Sequence, residues 1–202
     1  MNINVNRNET DFIYDPSMHS YPSGLWNTPV TTALTGTPSI SSAKLAINTA
    51  GCATAGSYKA DGLDVSFSLT IPAAPTSGDA RFFGLKSLNL GNVSLIGFDI
   101  TGAVLSAKVY DDAGNLLSVY DANGAPLASN AITWVAGWTN TQTTFRITKS
   151  NGRIYFYIGG TLKAKTDVST EVGTTALPIT ITNANADNML LHYMIVKHGS
   201  VS

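Results

Sequence analysis

FRITKSNGRIYFYIGG, residues 145–160, is two alternating apolar runs joined by Asn151-Gly152. Asn-Gly is the pair that a type I′ turn prefers, because both central residues must take positive φ. With Ser150 facing Arg153, Ile147 falls opposite Phe156 and Phe145 opposite Ile158, so one face of the hairpin is wholly apolar. The other face sets Arg146 opposite Tyr157 and Thr148 opposite Tyr155. A slip by one residue would turn the apolar set outward, so the register is tightly specified. The next turn offers two readings. A two-residue Gly159-Gly160 loop puts Lys163 on the face of Phe156. A three-residue loop of Ile158, Gly159 and Gly160, with Gly160 left-handed, instead pairs Phe156 with Leu162 and Ile154 with Ala164. The longer loop keeps one face apolar and is the expectation.

The same two-residue period runs through most of the chain. In GLDVSFSLTIP, residues 62–72, Leu63, Val65, Phe67, Leu69 and Ile71 alternate strictly. AKLAIN, RFFGLKSL, SLIGFDIT, VLSAKVYD, LLSVYD, AITWVAGW, LKAKTD, LPITITN and NMLLHYMIVK are further strand candidates between Ala43 and Lys197. No segment sustains a helical period, and turns recur every ~8–12 residues, as in a sandwich. VYDDAGN at 109 and VYDANGA at 119 are near copies, each a strand end followed by a glycine turn, and the period does not continue along the chain. The reading is an all-β, antiparallel two-sheet jelly-roll sandwich over residues 41–202. Residues 1–40 are polar and broken by Pro16, Pro22, Pro29 and Pro38, and are read as an extended N-terminal arm with DFIYD and GLWN as anchoring pieces.

Composition narrows the function classes. The 202 residues suit one β domain, and 44% apolar content can fill a sizeable core. Charged residues are 12% of the chain, about half the usual share, so Thr, Ser, Asn and Gly must cover the surface. That surface suits secreted or particle-borne β proteins. A net charge of −1 without any basic run argues against nucleic-acid binding through phosphate neutralisation. No apolar stretch is long enough to insert as a membrane helix. The start, MNINVNRNETDF, lacks the basic and apolar regions of a secretory signal. With Cys52 the only cysteine, a disulfide within the chain is excluded and a buried, inert thiol is expected.

Taken in order, SYKADGLDVSFSLTIPA, FFGL, FRITKSNGRIYFYIGGTLKAK and the final strand LHYMIVK resemble the concanavalin A-like lectin/glucanase superfamily, over roughly residues 43–198. The laminin-G-like domains of phage virion and bacterial surface proteins are the nearest kind. The resemblance implies a concanavalin A-like jelly roll and three possible roles: carbohydrate binder, glycoside hydrolase, or structural and adhesive virion module. Hydrolases of this superfamily carry two glutamates and an aspartate at alternate positions of one strand, and glycoside hydrolysis in general uses two carboxyl groups ~5–9.5 Å apart. Here Glu9 and Glu171 are the only glutamates, Glu9 has only Asp11 two positions away, in the polar segment before Phe12, Glu171 has no acid at that spacing, and FDITG offers Asp99 alone. Asp61 and Asp64, three apart, should face opposite sides of a strand. No G-x-S-x-G elbow is present, and His19, His192 and His198 are scattered, His192 being expected to fill the sandwich edge. Catalytic residues are therefore assigned to none.

Other sites are weighed from residue type. Superfamily members sometimes hold calcium on loops, which makes Asp111, Asp112, Asp121 and Asn123 the candidate metal ligands, although Asp and Asn favour turns for local reasons. A sugar needs an aromatic face and convergent polar groups, which Trp138, Asn140, Arg146, Tyr155 and Tyr157 would supply, while Trp134 is read as core. Phe12, Tyr14, Tyr21 and Trp26 are expected to bury the arm against a partner or neighbouring subunit. The expectation is a non-enzymatic structural or adhesive module on a virion surface or otherwise outside the cell, of the capsid-decoration or head-fibre kind. Its expected partners are a capsid or other virion protein, further copies of itself, and host-surface glycans. A secreted lectin domain is the alternative, and a glycoside hydrolase or lyase the remoter one. No cofactor is required by any of these readings.

Overall fold

Strict alternation in the sequence becomes strand pairing in the computed structural model, which describes residues 12–18, 26–27, 36–87, 91–167 and 172–198. The strands are β1 (Phe12–Tyr14), β2 (Trp26–Asn27), β3 (Ser39–Ser41), β4 (Lys44–Ile47), β5 (Ala50–Tyr58), β6 (Leu63–Thr70), β7 (Ala80–Leu85) and β8 (Ile96–Thr101). They continue with β9 (Val104–Val109), β10 (Val119–Tyr120), β11 (Ala131–Ile132), β12 (Gln142–Ser150), β13 (Arg153–Ile158), β14 (Thr161–Thr166), β15 (Leu177–Asn183) and β16 (Met189–His198). Helix among the described residues is limited to two short 3₁₀ turns, Ala128–Asn130 and Ala136–Trp138.

Two antiparallel sheets result. The larger runs β10-β14-β13-β12-β6-β16-β4-β3, with β1 pairing with the far half of β16; the smaller runs β11-β9-β8-β7-β15-β5-β2. Hairpin neighbours such as β12 and β13 are interleaved with strands from distant parts of the chain, as when β6 lies between β12 and β16, which is the crossing pattern of a jelly roll. Inward residues fuse the two sheets. Phe67, Phe145 and Phe156 from the larger sheet meet Phe83 and Phe98 from the smaller, with ring centroids 4.9 to 5.7 Å apart and mostly edge-to-face. Such pairs contribute about 0.5–1.5 kcal/mol each beyond their buried area.

The β12–β13 hairpin has the register read from sequence: Ile147 opposite Phe156, Phe145 opposite Ile158, and Arg146 opposite Tyr157. Asn151 and Gly152 both take positive φ, 52° and 71°. The following turn differs from expectation. It is the two-residue loop, with Ile158 paired to Thr161 and Gly159 and Gly160 at φ 58° and 80°. A bulge then pairs Tyr157 with Leu162 but Phe156 with Ala164, so Lys163 is the extra residue. The bulge removes the objection to the short loop, because it takes Lys163 out of the alternation instead of setting it on the core face.

The first 40 residues also differ from a free arm. Three of their described pieces are strands of the sandwich: β1 on β16, β2 on β5, β3 on β4. Tyr14 is fully buried and Trp26 is 3% exposed, and their rings meet edge-to-face at 5.1 Å within the main core. Phe12 is half-buried against that core, tilted on Tyr58 at 6.1 Å. The docking assignment of Tyr14 and Trp26 is therefore corrected: alternation turns both side chains inward, and the interior they fill is the chain's own. Tyr21 lies outside the described residues.

Arg81 is fully buried, and it shares its strand face with Phe83 and Leu85. Its guanidinium donates to Asp79 at 2.7 Å and to Asp187 at 2.6 Å. Asp79 also accepts from the Thr76 N–H at 3.1 Å and from the Asn185 amide. This cluster ties β7 to the loops before it and after β15.

Candidate binding faces

Each sheet turns one set of side chains away from the core, and these two outer faces are where chemistry can happen. On the smaller sheet, β8 directs Ile96, Phe98 and Ile100 inward, which leaves Gly97, Asp99 and Thr101 outward. Asp99 stands opposite Phe82 of β7 and Ser106 of β9, and accepts from the Thr101 hydroxyl at 2.8 Å. The Phe82 ring occupies the space that Gly97 leaves, and Lys86 Nζ lies 5.2 Å from its centre. Along this face β7 adds Ala80 and Gly84, β9 adds Val104 and Lys108, and β15 adds Thr180 and Thr182. Asp99 is thus the one carboxylate that β7, β8, β9 and β15 present there.

The outer face of the larger sheet is more aromatic. Tyr155 and Tyr157 project from β13 with rings stacked at 6.4 Å, and the Arg146 guanidinium lies 5.5 Å from the Tyr157 ring. Arg146 donates from Nε and from a terminal nitrogen to the two oxygens of Asp64, at 2.8 and 2.7 Å. That bidentate pair raises the Arg146 pKa and uses up its planar edge. Of the five expected sugar ligands, Arg146, Tyr155 and Tyr157 share this face. Trp138 is half-buried in a 3₁₀ turn, edge-on to Trp134 at 5.6 Å and under Lys163 Nζ at 5.5 Å. Asn140 takes a left-handed backbone (φ 51°), and its N–H donates to the Ile71 carbonyl at 2.8 Å. Trp134, read as core, is half-buried against it, and its indole N–H donates to Thr139 at 3.1 Å.

The candidate metal ligands are engaged locally. Asp111 accepts from the N–H groups of Ala113 and Asn115 at 2.9 and 2.8 Å, and Asp121 accepts from the Ala125 N–H at 2.8 Å. The two near-identical sequences make the same loop, since Asp111 pairs with Asn115 as Asp121 pairs with Ala125. Asp112 accepts from the hydroxyls of Ser94 and Thr174 and from the Gly173 N–H. Burial alone would raise its carboxyl, and those donors together hold it below its ordinary value. Asn123 is exposed at its turn. No cluster of three or more His, Cys, Asp or Glu side chains with metal-binding spacing forms among the described residues.

Asp61 and Asp64 face apart as expected: Asp61 pairs with Lys149 at 2.5 Å while Asp64 holds Arg146. His192 sits 2.8 Å from the Thr70 hydroxyl, its pKa lowered by burial and then by Lys44. Cys52 is buried, which pushes its thiol far above the ordinary range. Sequence reasoning passed over two features. One is the Phe82–Gly97 contact, legible only as a glycine inside a strand. The other is an open cleft of about 200 Å³ at the β10–β14–β13 margin, lined by Tyr120, Gly124, Arg153, Lys165, Thr166 and Asp167.

No protein-family model matches the sequence, and no curated protein sequence matches it significantly. Solved structures do match in shape. The chain is similar to the carbohydrate recognition domain of Emp47p, at 9% identity and a TM-score of 0.60, covering 94% of this chain and 97% of that one. It is similar to a Bacillus licheniformis beta-glucanase, at 13% identity and a TM-score of 0.60, over 95% and 100% of the two chains. A prokaryotic beta-1,3-1,4-glucanase from a mouse hindgut metagenome superposes with a TM-score of 0.65 at 10% identity, over 94% and 100%. The protein therefore has the concanavalin A-like jelly-roll fold.

Proposed function

We propose that this chain is a non-catalytic surface module of a virus particle, of the capsid-decoration or head-fibre kind, which uses its outer faces to hold glycans and neighbouring proteins. The observation that carries the non-catalytic part is β8. Its outward positions are Gly97, Asp99 and Thr101, so one carboxylate stands where glycoside hydrolysis requires a pair. The opposite sheet presents Asp64, which Arg146 neutralises. Support for a particle-borne role comes from the charge-poor composition and from a lectin-shaped sandwich whose faces are rich in Ser, Thr and Tyr. With Tyr14 and Trp26 inside the fold, contact with a capsid protein or a second copy falls to exposed groups such as Ile13, 59% exposed on β1.

Two measurements test this reading. Purified virus particles are analysed by mass spectrometry for the chain, which is expected at stoichiometric abundance; its absence from particles would move the protein to the secreted-lectin class. Bacterial polysaccharides are incubated with the chain and assayed for reducing ends. None are expected, and release that Asp99→Ala abolishes would make the protein an enzyme.

A further inference from the structure

We propose that the cleft at the β10–β14–β13 margin binds the carboxylate of an acidic saccharide, a uronic-acid type of sugar, with Arg153 and Lys165 on the carboxylate and tyrosine rings under the sugar. The proposal rests on the glycan-holding reading above and adds where the sugar sits and which class it belongs to.

Strand register builds the cleft. Tyr120 pairs with Lys165, Lys165 with Tyr155, and Tyr155 with Thr148, so these side chains form one row across the outer face of the larger sheet. Val119, next to Tyr120, is fully buried, which fixes Tyr120 outward. Arg153 flanks the row from the start of β13, and Asp167 stands just past the end of β14.

The cations are under-used. Lys165 Nζ donates to the Ala122 carbonyl at 3.0 Å and has no carboxylate partner among the described residues. Arg153 reaches Asp167 through a terminal nitrogen only at 3.4 Å, with the Arg153 side chain 37% and Asp167 70% exposed, while its Nε–H is buried and has no acceptor among the described residues. By contrast Arg146, inside the hairpin's other strand β12, commits its Nε edge to both oxygens of Asp64. The two terminal nitrogens of a half-exposed guanidinium can meet end-on a planar carboxylate, which accepts two parallel hydrogen bonds. Charge selects the same ligand: two cations against Asp167 leave a single positive charge in the lining. A carboxylate carries one negative charge, whereas a phosphate monoester carries about 1.5 to 2. The flanking aromatic faces suit the apolar side of a sugar ring.

Isothermal titration of the full chain with trigalacturonate, in parallel with the neutral galactose trisaccharide, tests the site. Binding of the acidic trisaccharide alone is expected, weakened about tenfold or more by Arg153→Gln and by Lys165→Gln. Tyr155→Phe is expected to bind as the parent does and Tyr155→Ala to bind less, since the ring and not the hydroxyl is used. Unchanged thermal unfolding of each variant controls for folding, because all three side chains are partly exposed. No binding at millimolar trigalacturonate, equal binding of the neutral sugar, or equal binding of polyaspartate or a glycerol-phosphate oligomer would each overturn the proposal. A sugar held with an affinity indifferent to Arg153 and Lys165 would overturn this site while leaving the module's glycan-holding role intact.

Discussion

A β-carbon added at Gly97 would run into the Phe82 ring and come within 3.0 Å of the Phe83 carbonyl oxygen. Phe82 is 3% exposed, so its ring cannot swing away without opening the outer face of the smaller sheet. Gly97→Ala is expected to cost about 1–3 kcal/mol, the usual size of overpacking. A urea titration reads this as a lower midpoint. Cys52 makes a second prediction at this scale. Its thiol is fully buried and its pKa is driven up by burial, so the reactive thiolate is scarce. A thiol reagent at neutral pH is expected to leave the native protein unlabelled and to label it fully in denaturant; rapid labelling of the native state would contradict the packing around β5.

At the scale of elements, two arginine pairs separate stability from decoration. Arg81 joins Asp79 and Asp187 inside the fold, whereas Arg146 holds Asp64 on the surface with 45% of its own side chain exposed. Removing one partner of a buried pair strands a charge, so Arg81→Ala is expected to cost about 3–5 kcal/mol. Arg146→Ala should cost less than about 1 kcal/mol, since solvent screens the exposed pair. The Asp79 cluster also sets an acid limit. Burial pulls the Asp79 carboxyl upward, but the Thr76 N–H, Arg81 and Asn185 outweigh it and hold the pKa below its ordinary value. A depressed folded-state pKa contributes stability that is present above the unfolded value of about 4 and is lost as pH falls through the folded one. Urea midpoints should therefore decline below pH ~4, and Asp79→Asn should flatten that decline while lowering stability at pH 7.

For the molecule as a whole, the N-terminal segment is structural. It supplies β1 and β2, one to each sheet, and with them two buried aromatic rings. Loss of a large buried aromatic costs about 3–5 kcal/mol, and a domain's total is about 5–15 kcal/mol. Deleting residues 1–27 is therefore expected to leave a chain with no cooperative thermal transition. A truncated chain that melts like the parent would show the segment to be a detachable arm after all. The arrangement of many brief strands also limits the edges open to pairing on a chain with 12% charged residues: most strands lie between two neighbours, and the edge strands β2, β3, β10 and β11 have two or three residues each.

How much of this was legible in the sequence depended on the range of the interaction. Alternation is a local signal, so Leu63 to Ile71 and Phe145 to Ile158 declared their strands, their inward faces and the Asn151-Gly152 turn without any knowledge of the rest. The lack of an acid at alternate positions around Asp99 was visible for the same reason. What lay beyond reach were contacts whose partners come from distant parts of the chain. Arg81 finds Asp187 106 positions away, and Lys165 lies beside Tyr120 only because β10 docks on β14. Tyr14 and Trp26 looked like groups for a partner because nothing near them in sequence could cover them; strand pairing brought the cover. Periodicity therefore fixed which side of each strand is oily, while the choice of neighbouring strands, which tertiary packing alone makes, decided which polar groups meet and where a ligand can sit.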